Sequence, residues 1–458
     1  MSNLFTLKTA GLPASFRYKA YGLNNFRELP QMTQVAESVK RDIEVIGRVL
    51  PFKVNAFVAE HLIDWTKVPD DPLFTLTFPR RGMLSQAHHA EIAALLDSGA
   101  EAAAIKAAAE RIRLSLNPHP AGQLEHNVPS LAERRLEGLQ HKYRETVLFF
   151  PSQGQTCHAY CSFCFRWPQF VGQSGLKFAG REVDTLIEYL RRHPEVTDLL
   201  FTGGDPMVMS ARNLAGYLEP LLAADLPNLR RIRFGTKALS YWPYRFLTDA
   251  DASDLLALLG RITEQGRHLA LMAHFNHPRE LEPAPVREAI ARLREVGAVI
   301  RTQSPLLRHI NDDAGLWAEM WERQVELGCV PYYMFLPRDT GAHEYFSVPL
   351  VRAWEIYRQA YRQVSGLART VRGPCMSAAP GKVQILGVAD INGERVLQLR
   401  FLQGRDPGWV HQPFFAAFDE RATWLDELRP AFGEPRFFFE STTPEPGLGL
   451  LTPAGPYE

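Results

Sequence analysis

Residues 147–166 of this chain read VLFFPSQGQTCHAYCSFCFR. A short apolar run comes first, and a loop then carries cysteines at Cys157, Cys161 and Cys164, with the spacing C-x3-C-x2-C. Three thiolates this close in sequence can bind one face of a [4Fe–4S] cluster, which usually takes four thiolates. The spacing therefore predicts a cluster with one iron left open for a ligand that is not protein.

Two other interpretations of three neighbouring cysteines remain open: a zinc site and buried thiols that pack as small apolar groups. A structural zinc site has four ligands, usually in paired C-x2-C knuckles, and no second knuckle is present. His158, inside the motif, is the candidate for a fourth ligand. A disulfide framework is disfavoured, because the 458 residues hold only 5 cysteines and no signal-peptide pattern.

Composition limits the classes of protein to consider. A chain of 458 residues is expected to form one large domain with extensions, or two to three domains. Basic and acidic residues balance at 51 each, so we expect neither nucleic acid nor a membrane as a partner. No apolar run approaches the roughly 18 residues that span a bilayer, and the N-terminus lacks an apolar signal segment. We therefore expect a cytoplasmic protein.

The pattern along the chain predicts an α/β protein in three parts. Residues 1–135 are predicted to be mainly helical, with an Ala-rich helical segment from about 85 to 115 that is interrupted near Ser98-Gly99. Residues 136–385 alternate short apolar runs with amphipathic segments at steps of roughly thirty residues, the size of a βα unit. Residues 386–458 are expected to form a small α/β extension with a Pro/Gly-rich tail.

Six apolar runs in the core are predicted to be strands. They are VLFF near 147, DLLF near 198, RIRF near 231, LALMAHF near 269, AVIRTQ near 298 and PYYMFL near 331. Six units favour a parallel sheet curved into a partial (βα)6 barrel over a flat sheet, although periodicity alone does not separate the two.

A polar cluster follows each predicted strand. After the cysteine loop these clusters are Thr202-Gly203-Gly204-Asp205-Pro206, Gly235-Thr236-Lys237, His274-Phe275-Asn276-His277, Gln303-Ser304 and Arg338-Asp339. In parallel α/β folds, ligands bind at the carboxyl ends of the strands. Each cluster alone is weak evidence, but together they predict one pocket.

From about residue 51 to about 400 the chain resembles the lysine 2,3-aminomutase family of radical S-adenosylmethionine (SAM) enzymes. The landmarks that carry the resemblance are His141-Lys142-Tyr143, Phe165-Arg166 after the cysteines, TGGDP, RFGTKAL, HFNHP and TQSPLLRHIND. The resemblance implies a radical SAM barrel in which the open iron chelates SAM, and an electron from the cluster cleaves SAM to a 5′-deoxyadenosyl radical.

The same resemblance implies roles for individual residues. Gly203, Gly204 and Asp205 would line the methionine amino end of SAM, and His274 and Gln303 would contact SAM. Tyr143 is expected among the cofactor-binding residues. Arg166 matches the arginine that holds the substrate carboxylate, a task for which a planar guanidinium is suited.

The family also uses pyridoxal 5′-phosphate (PLP), which is held on a lysine. Lys382, in Ala379-Pro380-Gly381-Lys382-Val383, is the positional match, and we expect its neighbouring glycine to allow close approach of the cofactor. The arginine expected to bind the PLP phosphate falls on Thr146, so Arg144 or Lys142 is the substitute. A solvated surface lysine is the alternative interpretation of Lys382.

The sequence departs from the lysine-specific pattern at the far end of the pocket. Of two aspartates expected near the distal ammonium of lysine, one aligns with Arg338, or with Asp339 after a shift of one residue. The other aligns with Cys375. We therefore predict that the substrate is an α-amino acid other than lysine. No cysteine follows Cys375, so the structural zinc of some members is not expected.

The predicted activity is that of a radical SAM, PLP-dependent amino-acid 2,3-aminomutase, an isomerase that moves the α-amino group to C3. The alternatives are lysine 2,3-aminomutase itself, a radical SAM enzyme that has lost PLP and, most remotely, a non-catalytic iron–sulfur regulatory protein. Expected partners are a small amino-acid substrate and an external electron donor such as a flavodoxin or ferredoxin. The chain is also a possible homo-oligomer.

Overall fold

A computed structural model of the chain describes residues 16–117, 127–171, 179–180 and 182–440. The Pro/Gly-rich tail predicted from 441 onward lies outside them.

The N-terminal region is helical around two short strand pairs. Its strands are β1 (Ala20–Tyr21) with β2 (Val54–Asn55), and β3 (Ser130–Leu131) with β4 (Arg134–Arg135). Its helices are α1 (Glu37–Ile46), α2 (Pro72–Thr77), α3 (Gln86–Asp97) and α4 (Ala102–Ser115). The predicted interruption lies between α3 and α4, where Gly99 takes the left-handed conformation (φ +65°) that commonly ends a helix.

One eleven-stranded sheet organises the rest of the chain, with its strands in sequence order. The strands are β5 (Leu139–Tyr143), β6 (Thr146–Phe149), β7 (Asp198–Phe201), β8 (Arg231–Thr236), β9 (His268–His274), β10 (Val299–Pro305), β11 (Val330–Phe335), β12 (Arg372–Ser377), β13 (Gly381–Ile391), β14 (Glu394–Gly404) and β15 (Pro413–Ala417). Neighbours from β6 to β12 are parallel, and the outer pairs are antiparallel. The six predicted strands are β6 to β11, and the α/β class is confirmed.

Helices connect the parallel strands and cover the sheet. They are α5 (Val183–Arg192), α6 (Ala211–Ala223), α7 (Ala238–Tyr241), α8 (Ala252–Glu264), α9 (Ala284–Glu295), α10 (Ala314–Glu326), α11 (His343–Phe346) and α12 (Leu350–Gln363). In α9, for example, Val286, Ala289, Ile290 and Leu293 are buried at the three- and four-residue spacing of one helix face. No helix in the described part of the chain is long and apolar enough to cross a membrane.

The sheet curves so that its β5 edge approaches β12 and β13. The Lys142 ammonium on β5 donates a hydrogen bond to the Ala378 carbonyl, just after β12. The Lys382 nitrogen on β13 lies 5.9 Å from the centre of the Tyr143 ring on β5. Strands that are far apart in the order of the sheet therefore contribute side chains to one pocket.

The C-terminal expectation needs correction. Strand β13 crosses the expected boundary at 385, β14 and β15 extend the same sheet, and residues 386–440 contain no α-helix. The cause is local, because Asn392 and Gly393 both have positive φ (53° and 83°). Two such residues form the tight turn that joins two antiparallel strands. The alternating residues Leu397, Leu399 and Phe401 of β14 are buried in the core.

Candidate active site

Cys157, Cys161 and Cys164 lie on the loop after β6 as free, half-buried thiols. Burial raises the pKa of the Cys157 thiol, and the nearby Asp205 carboxylate, Cys164 and Cys161 raise that pKa further. The three sulfurs are therefore close enough to affect one another across a shared space. That they bind one cluster together stays a prediction.

Three neighbouring thiols are a donor set that fits an iron–sulfur cluster. Among the described residues, no group of three or more His, Cys, Asp or Glu side chains surrounds a point as the ligands of one ion do. A cubane binds each thiolate at a separate iron, so its ligands stand apart, and thiolates are its usual ligands. His158 does not join the cysteines around one ion. Its ring packs edge-on against Tyr18, and burial lowers its pKa to about 3.

The N-terminal region holds the cysteine loop by its backbone. The Lys53 ammonium donates to the Cys157 carbonyl (2.6 Å), and the Asn55 amide donates to the His158 carbonyl (3.3 Å). The Tyr160 N–H donates in turn to the Lys53 carbonyl (2.7 Å). The segment around β2 therefore positions the loop through its backbone carbonyl and N–H groups.

The turn after β7 packs directly on the cysteine loop. A Cβ on Gly204 would lie 2.3 Å from the Thr156 carbonyl oxygen, and Gly203 has a φ of +137°. The Asp205 N–H donates to that same carbonyl (2.7 Å). Only glycine permits this approach and this backbone conformation, so both glycines are explained by the position of the turn against the loop.

The Asp205 carboxylate is buried and hydrogen-bonded within the protein. It accepts hydrogen bonds from the Met207 N–H (2.9 Å), the Thr236 hydroxyl (2.8 Å) and the Lys237 N–H (2.8 Å). We expected this carboxylate to face the SAM amino group. A buried carboxylate needs donors around it, and here these donors come from the ends of β7 and β8. Asp205 therefore ties the turn after β7 to the end of β8, and the contact of Gly203, Gly204 and Asp205 with SAM stays a prediction.

His274 and Gln303 are brought together as predicted. They are register partners at the ends of β9 and β10, and the His274 Nε2 atom lies 2.6 Å from the Gln303 side-chain nitrogen. Burial is the main cause that lowers the pKa of His274 to about 3, and the nearby Lys237 charge contributes to the same shift. The imidazole is therefore neutral at physiological pH and available as a hydrogen-bonding group.

A buried ion pair beneath the cysteines was not found by sequence reasoning. The Lys237 ammonium lies 2.6 Å from the Glu280 carboxylate, donates to the Asn276 side chain (2.8 Å) and sits 4.5 Å from the centre of the Tyr241 ring. The Tyr241 hydroxyl is 3.5 Å from the Cys161 sulfur. The lysine was noted in the sequence, but nothing in the pattern indicated its acidic partner 43 residues later.

Arg166 emerges from the cysteine loop with its charge unmatched by the described residues. Its guanidinium lies 4.3 Å from the centre of the Phe150 ring and 5.1 Å from that of Phe165, and it forms no ion pair in the described part of the chain. Burial lowers its pKa to about 10, so the group stays charged. This arrangement suits a carboxylate supplied by a ligand.

Arg338 shares the Phe165 ring with Arg166, at 5.3 Å from its centre. It is half-buried, its Nε atom has no hydrogen-bond partner, and it forms no ion pair within the described ranges. Cys375 lies in the core nearby, fully buried on β12, with its sulfur 3.5 Å from the Met334 carbonyl oxygen. Neither position supplies a carboxylate to the pocket.

Lys382 points into an aromatic enclosure. Its nitrogen lies 4.2 Å from the centre of the Tyr333 ring and donates to the Gln403 side-chain oxygen (2.9 Å). Burial lowers its pKa to about 8. A lysine with a lowered pKa exposes a reactive neutral amine near physiological pH, as cofactor-bearing lysines require.

Gly381 is present for a different reason from the expected one. A Cβ there would lie 2.3 Å from the Gln403 carbonyl oxygen on β14. The glycine therefore allows close packing between β13 and β14, and cofactor approach is not its evident purpose. It also sets the position of the neighbouring Lys382 at the start of β13.

Lys142 rather than Arg144 lies next to Lys382. Arg144 is exposed. Burial lowers the pKa of Lys142 strongly, and the nearby charges of Arg405, Arg338 and Lys382 lower it further. Arg405, which also donates to the Ala379 carbonyl (2.8 Å), was missed because it follows a strand that the sequence pattern did not reveal. The gathered cations and the lysine fit a cofactor with a phosphate and a carbonyl group.

Three relatives illustrate what the chain is similar to. A protein of Aquifex aeolicus named "Putative L-lysine 2,3-aminomutase" is 30% identical over 409 residues, covering 89% of this chain and 95% of its own. The L-lysine 2,3-aminomutase of Escherichia coli is 32% identical, over 52% of this chain and 66% of its own. That of Clostridium subterminale is 28% identical, over 57% and 58%.

No family model matches the chain. A radical SAM methyltransferase from Sphaerobacter thermophilus is 15% identical over 64% of this chain and 94% of its own, with a TM-score of 0.35. Since that score is low, this likeness carries no argument.

Proposed function

Since the chain belongs to the lysine 2,3-aminomutase family of radical SAM enzymes, we propose that it is a SAM-dependent radical enzyme with PLP as a second cofactor. It moves the α-amino group of an α-amino acid to C3. We include in this proposal the partial (βα)6 barrel, which the contacts between β5 and β13 support, and an external one-electron donor of the flavodoxin or ferredoxin kind.

One observation carries the proposal. Three thiols, a guanidinium without an acidic partner among the described residues and a lysine of lowered pKa are linked by shared aromatic rings and charges. Arg166 lies just beyond the thiols and shares the Phe165 ring with Arg338. Burial raises the pKa of the Tyr143 hydroxyl, the Arg338 charge opposes this rise slightly, and the Tyr143 ring lies 5.9 Å from the Lys382 nitrogen. A substrate held between the two ends would reach both cofactors.

Each group of residues in the site has its own proposed ligand. Cys157, Cys161 and Cys164 would hold the cluster, with Gly203, Gly204, His274 and Gln303 around SAM. Lys382 would bear PLP, with Lys142 and Arg405 near its phosphate, and Arg166 would bind the substrate carboxylate in bidentate fashion. When bound, the cluster supplies the electron that cleaves SAM, and PLP supplies a conjugated system that stabilises the migrating centre.

We propose a substrate other than lysine. The ε-ammonium of lysine would meet Arg338 in a half-buried site, where a like charge is repelled and burying an unpaired charge is costly. Cys375 offers no charge, and Asp339 is the acidic side chain whose charge acts on Arg338. An acidic or neutral polar side chain is therefore the better match.

The test is anaerobic reconstitution with iron, sulfide, PLP, SAM and dithionite, followed by incubation with lysine, glutamate, glutamine or alanine. Formation of 5′-deoxyadenosine and of a β-amino acid from a non-lysine substrate is expected. A clear preference for lysine would assign the parent lysine activity instead. Cleavage of SAM without bound PLP would favour the enzyme that has lost PLP.

A further inference from the structure

Tyr241 occupies a special position beneath the cysteine loop. It ends the short helix α7, is 1% exposed, and places its hydroxyl oxygen 3.5 Å from the Cys161 sulfur. In the described part of the chain, this is the one side-chain hydrogen bond made by any of the three sulfurs. The sequence pattern and the family roles considered above assign nothing to this tyrosine.

The ring and the backbone of Tyr241 are held in place from two sides. On one side the Lys237 ammonium lies 4.5 Å from the centre of the ring and is anchored by Glu280 and Asn276. On the other side the Asn55 amide donates to the Tyr241 carbonyl (2.9 Å) and also to the His158 carbonyl in the cysteine loop (3.3 Å). Both the ring and the backbone of Tyr241 are therefore fixed relative to the loop.

We propose that Tyr241 is a positioning residue for the cluster: it donates an O–H···S hydrogen bond to the Cys161 thiolate and thereby raises the reduction potential of the cluster. Binding to iron removes the thiol proton, so the sulfur changes from donor to acceptor and the neighbouring hydroxyl becomes the donor. Hydrogen bonds to cluster sulfurs are one of the factors that set such potentials.

The redox step is a simple one-electron reduction. One electron passes from an external low-potential donor to the oxidised [4Fe–4S]²⁺ cluster and gives the [4Fe–4S]⁺ state. No bond to Tyr241 forms or breaks, and its proton stays on the phenol oxygen. The added negative charge strengthens the hydrogen bond, because hydrogen bonds to ionised groups are stronger than neutral ones. The reduced state is therefore stabilised relative to the oxidised state.

The experiment compares Tyr241→Phe with the matched control Tyr244→Phe. Tyr244 is also 1% exposed, but its ring stacks on Phe16 at 5.2 Å, in the N-terminal region. Each full-length protein is reconstituted with iron and sulfide and titrated with dithionite, and the reduced cluster is followed by electron paramagnetic resonance. SAM, PLP and amino acids are left out, so the result depends on the cluster alone.

Tyr241→Phe is expected to lower the ratio of reduced to oxidised cluster roughly tenfold at a given potential, or ~59 mV for a one-electron couple. Tyr244→Phe should leave the ratio unchanged. An unshifted Tyr241→Phe, or an equal shift in both variants, overturns the inference.

A second substitution covers the case in which Tyr241→Phe does not assemble a cluster. Replacing Tyr241 by 3-fluorotyrosine keeps the shape and makes the hydroxyl a stronger donor, so the potential should move upward; an unchanged potential overturns the inference. The inference rests on the cluster of the proposed function. Wild-type protein that binds no cluster would refute both, whereas a normal cluster with an unshifted potential would refute only the role of Tyr241.

Discussion

The cysteine-loop end and the Lys382 end of the pocket differ in whether their charged side chains form ion pairs. Beneath the cysteine loop, two cations have acidic partners: Lys237 lies 2.6 Å from Glu280, and Arg279 lies 2.5 Å from Asp71. At the Lys382 end, Lys382 has an amide and aromatic rings around it. Neither Lys382 nor Lys142 nor Arg338 forms an ion pair with any described residue.

This difference indicates that the ion pairs beneath the cysteine loop are structural, whereas the cations near Lys382 form a surface that binds ligands. Charged groups are seldom buried without a partner, because the loss of solvation is costly. The ion pairs beneath the cysteine loop satisfy that requirement internally, so this end is complete as a support for the cluster. The cations around Lys382 would be satisfied by anionic ligands, such as a phosphate and carboxylates.

Removal of a cluster ligand should have the largest effect. It should remove the cluster at the cysteine-loop end and leave PLP binding at the Lys382 end intact. We expect Cys157→Ala to lose most of its cluster iron and all reductive cleavage of SAM, since a site with three ligands cannot spare one. Iron analysis and 5′-deoxyadenosine release are the measurements.

The matched control for that change is Cys329→Ala, because Cys329 is buried in the core, outside the loop. This variant should keep its cluster. Full iron content and SAM cleavage in Cys157→Ala would remove the basis of the proposed cluster site.

Removal of Lys382 should abolish PLP attachment at the Lys382 end and leave the cluster at the cysteine-loop end intact. Borohydride reduction of protein loaded with PLP is expected to fix the cofactor on the peptide that contains Lys382, as mass spectrometry would detect. Lys382→Ala should lose this labelling and the aminomutase activity but keep its iron–sulfur absorbance.

Lys142→Gln is the comparison for that experiment. If Lys142 contacts the phosphate, this variant should bind PLP more weakly yet still be labelled at Lys382. Labelling of any other lysine in the wild-type protein would contradict the assignment of Lys382.

The unpaired charge of Arg338 should set substrate choice. A hydrogen bond to a charged group contributes about 1.5–3 kcal/mol, so Arg338→Met is expected to lower kcat/KM for glutamate by roughly ten- to a hundredfold. Activity on alanine, which does not reach this residue, should change little.

Asp339→Asn tests the alternative that Asp339 faces the substrate and selects lysine. A wild-type preference for lysine that disappears in Asp339→Asn would mean that this acid, and not Arg338, faces the substrate. Competition between lysine and glutamate in one reaction would reveal it.

The smallest effect concerns pH. Burial lowers the pKa of Lys382 from its ordinary value near 10.5 to about 8, so the neutral amine that reacts with PLP predominates above pH 8. Capture of PLP by the apoprotein should rise through pH 8 and then level off, as followed by absorbance. A rise that continues toward pH 10.5 would show an ordinary lysine.

The same shift has a consequence for stability. Between pH 8 and 10.5 the unfolded chain holds the Lys382 proton and the folded chain does not, so this residue makes the apoprotein more stable as pH rises through that window. Denaturant titrations of wild-type protein and Lys382→Met across this range would show the difference.

Sequence patterns predicted some elements of this fold and missed others for identifiable reasons. The strands β6 to β11 were found because each is an apolar run followed by an amphipathic helix. The hairpin of β13 and β14 was missed, although Asn392-Gly393 between alternating apolar residues is a strong hairpin signal. Arg405 went unnoticed with it.

By itself, the sequence determined the cysteine spacing, the order of the βα units and the polar groups that follow each strand, because these depend on neighbouring residues. Only the tertiary structure decided that Asp205 bonds to β8, that Lys142 rather than Arg144 joins Lys382, and that Glu280 pairs with Lys237. Each of those choices depends on which distant groups the curved sheet brings within hydrogen-bonding distance. A carboxylate or an ammonium has the same sequence signature whether its partner is another residue or a ligand.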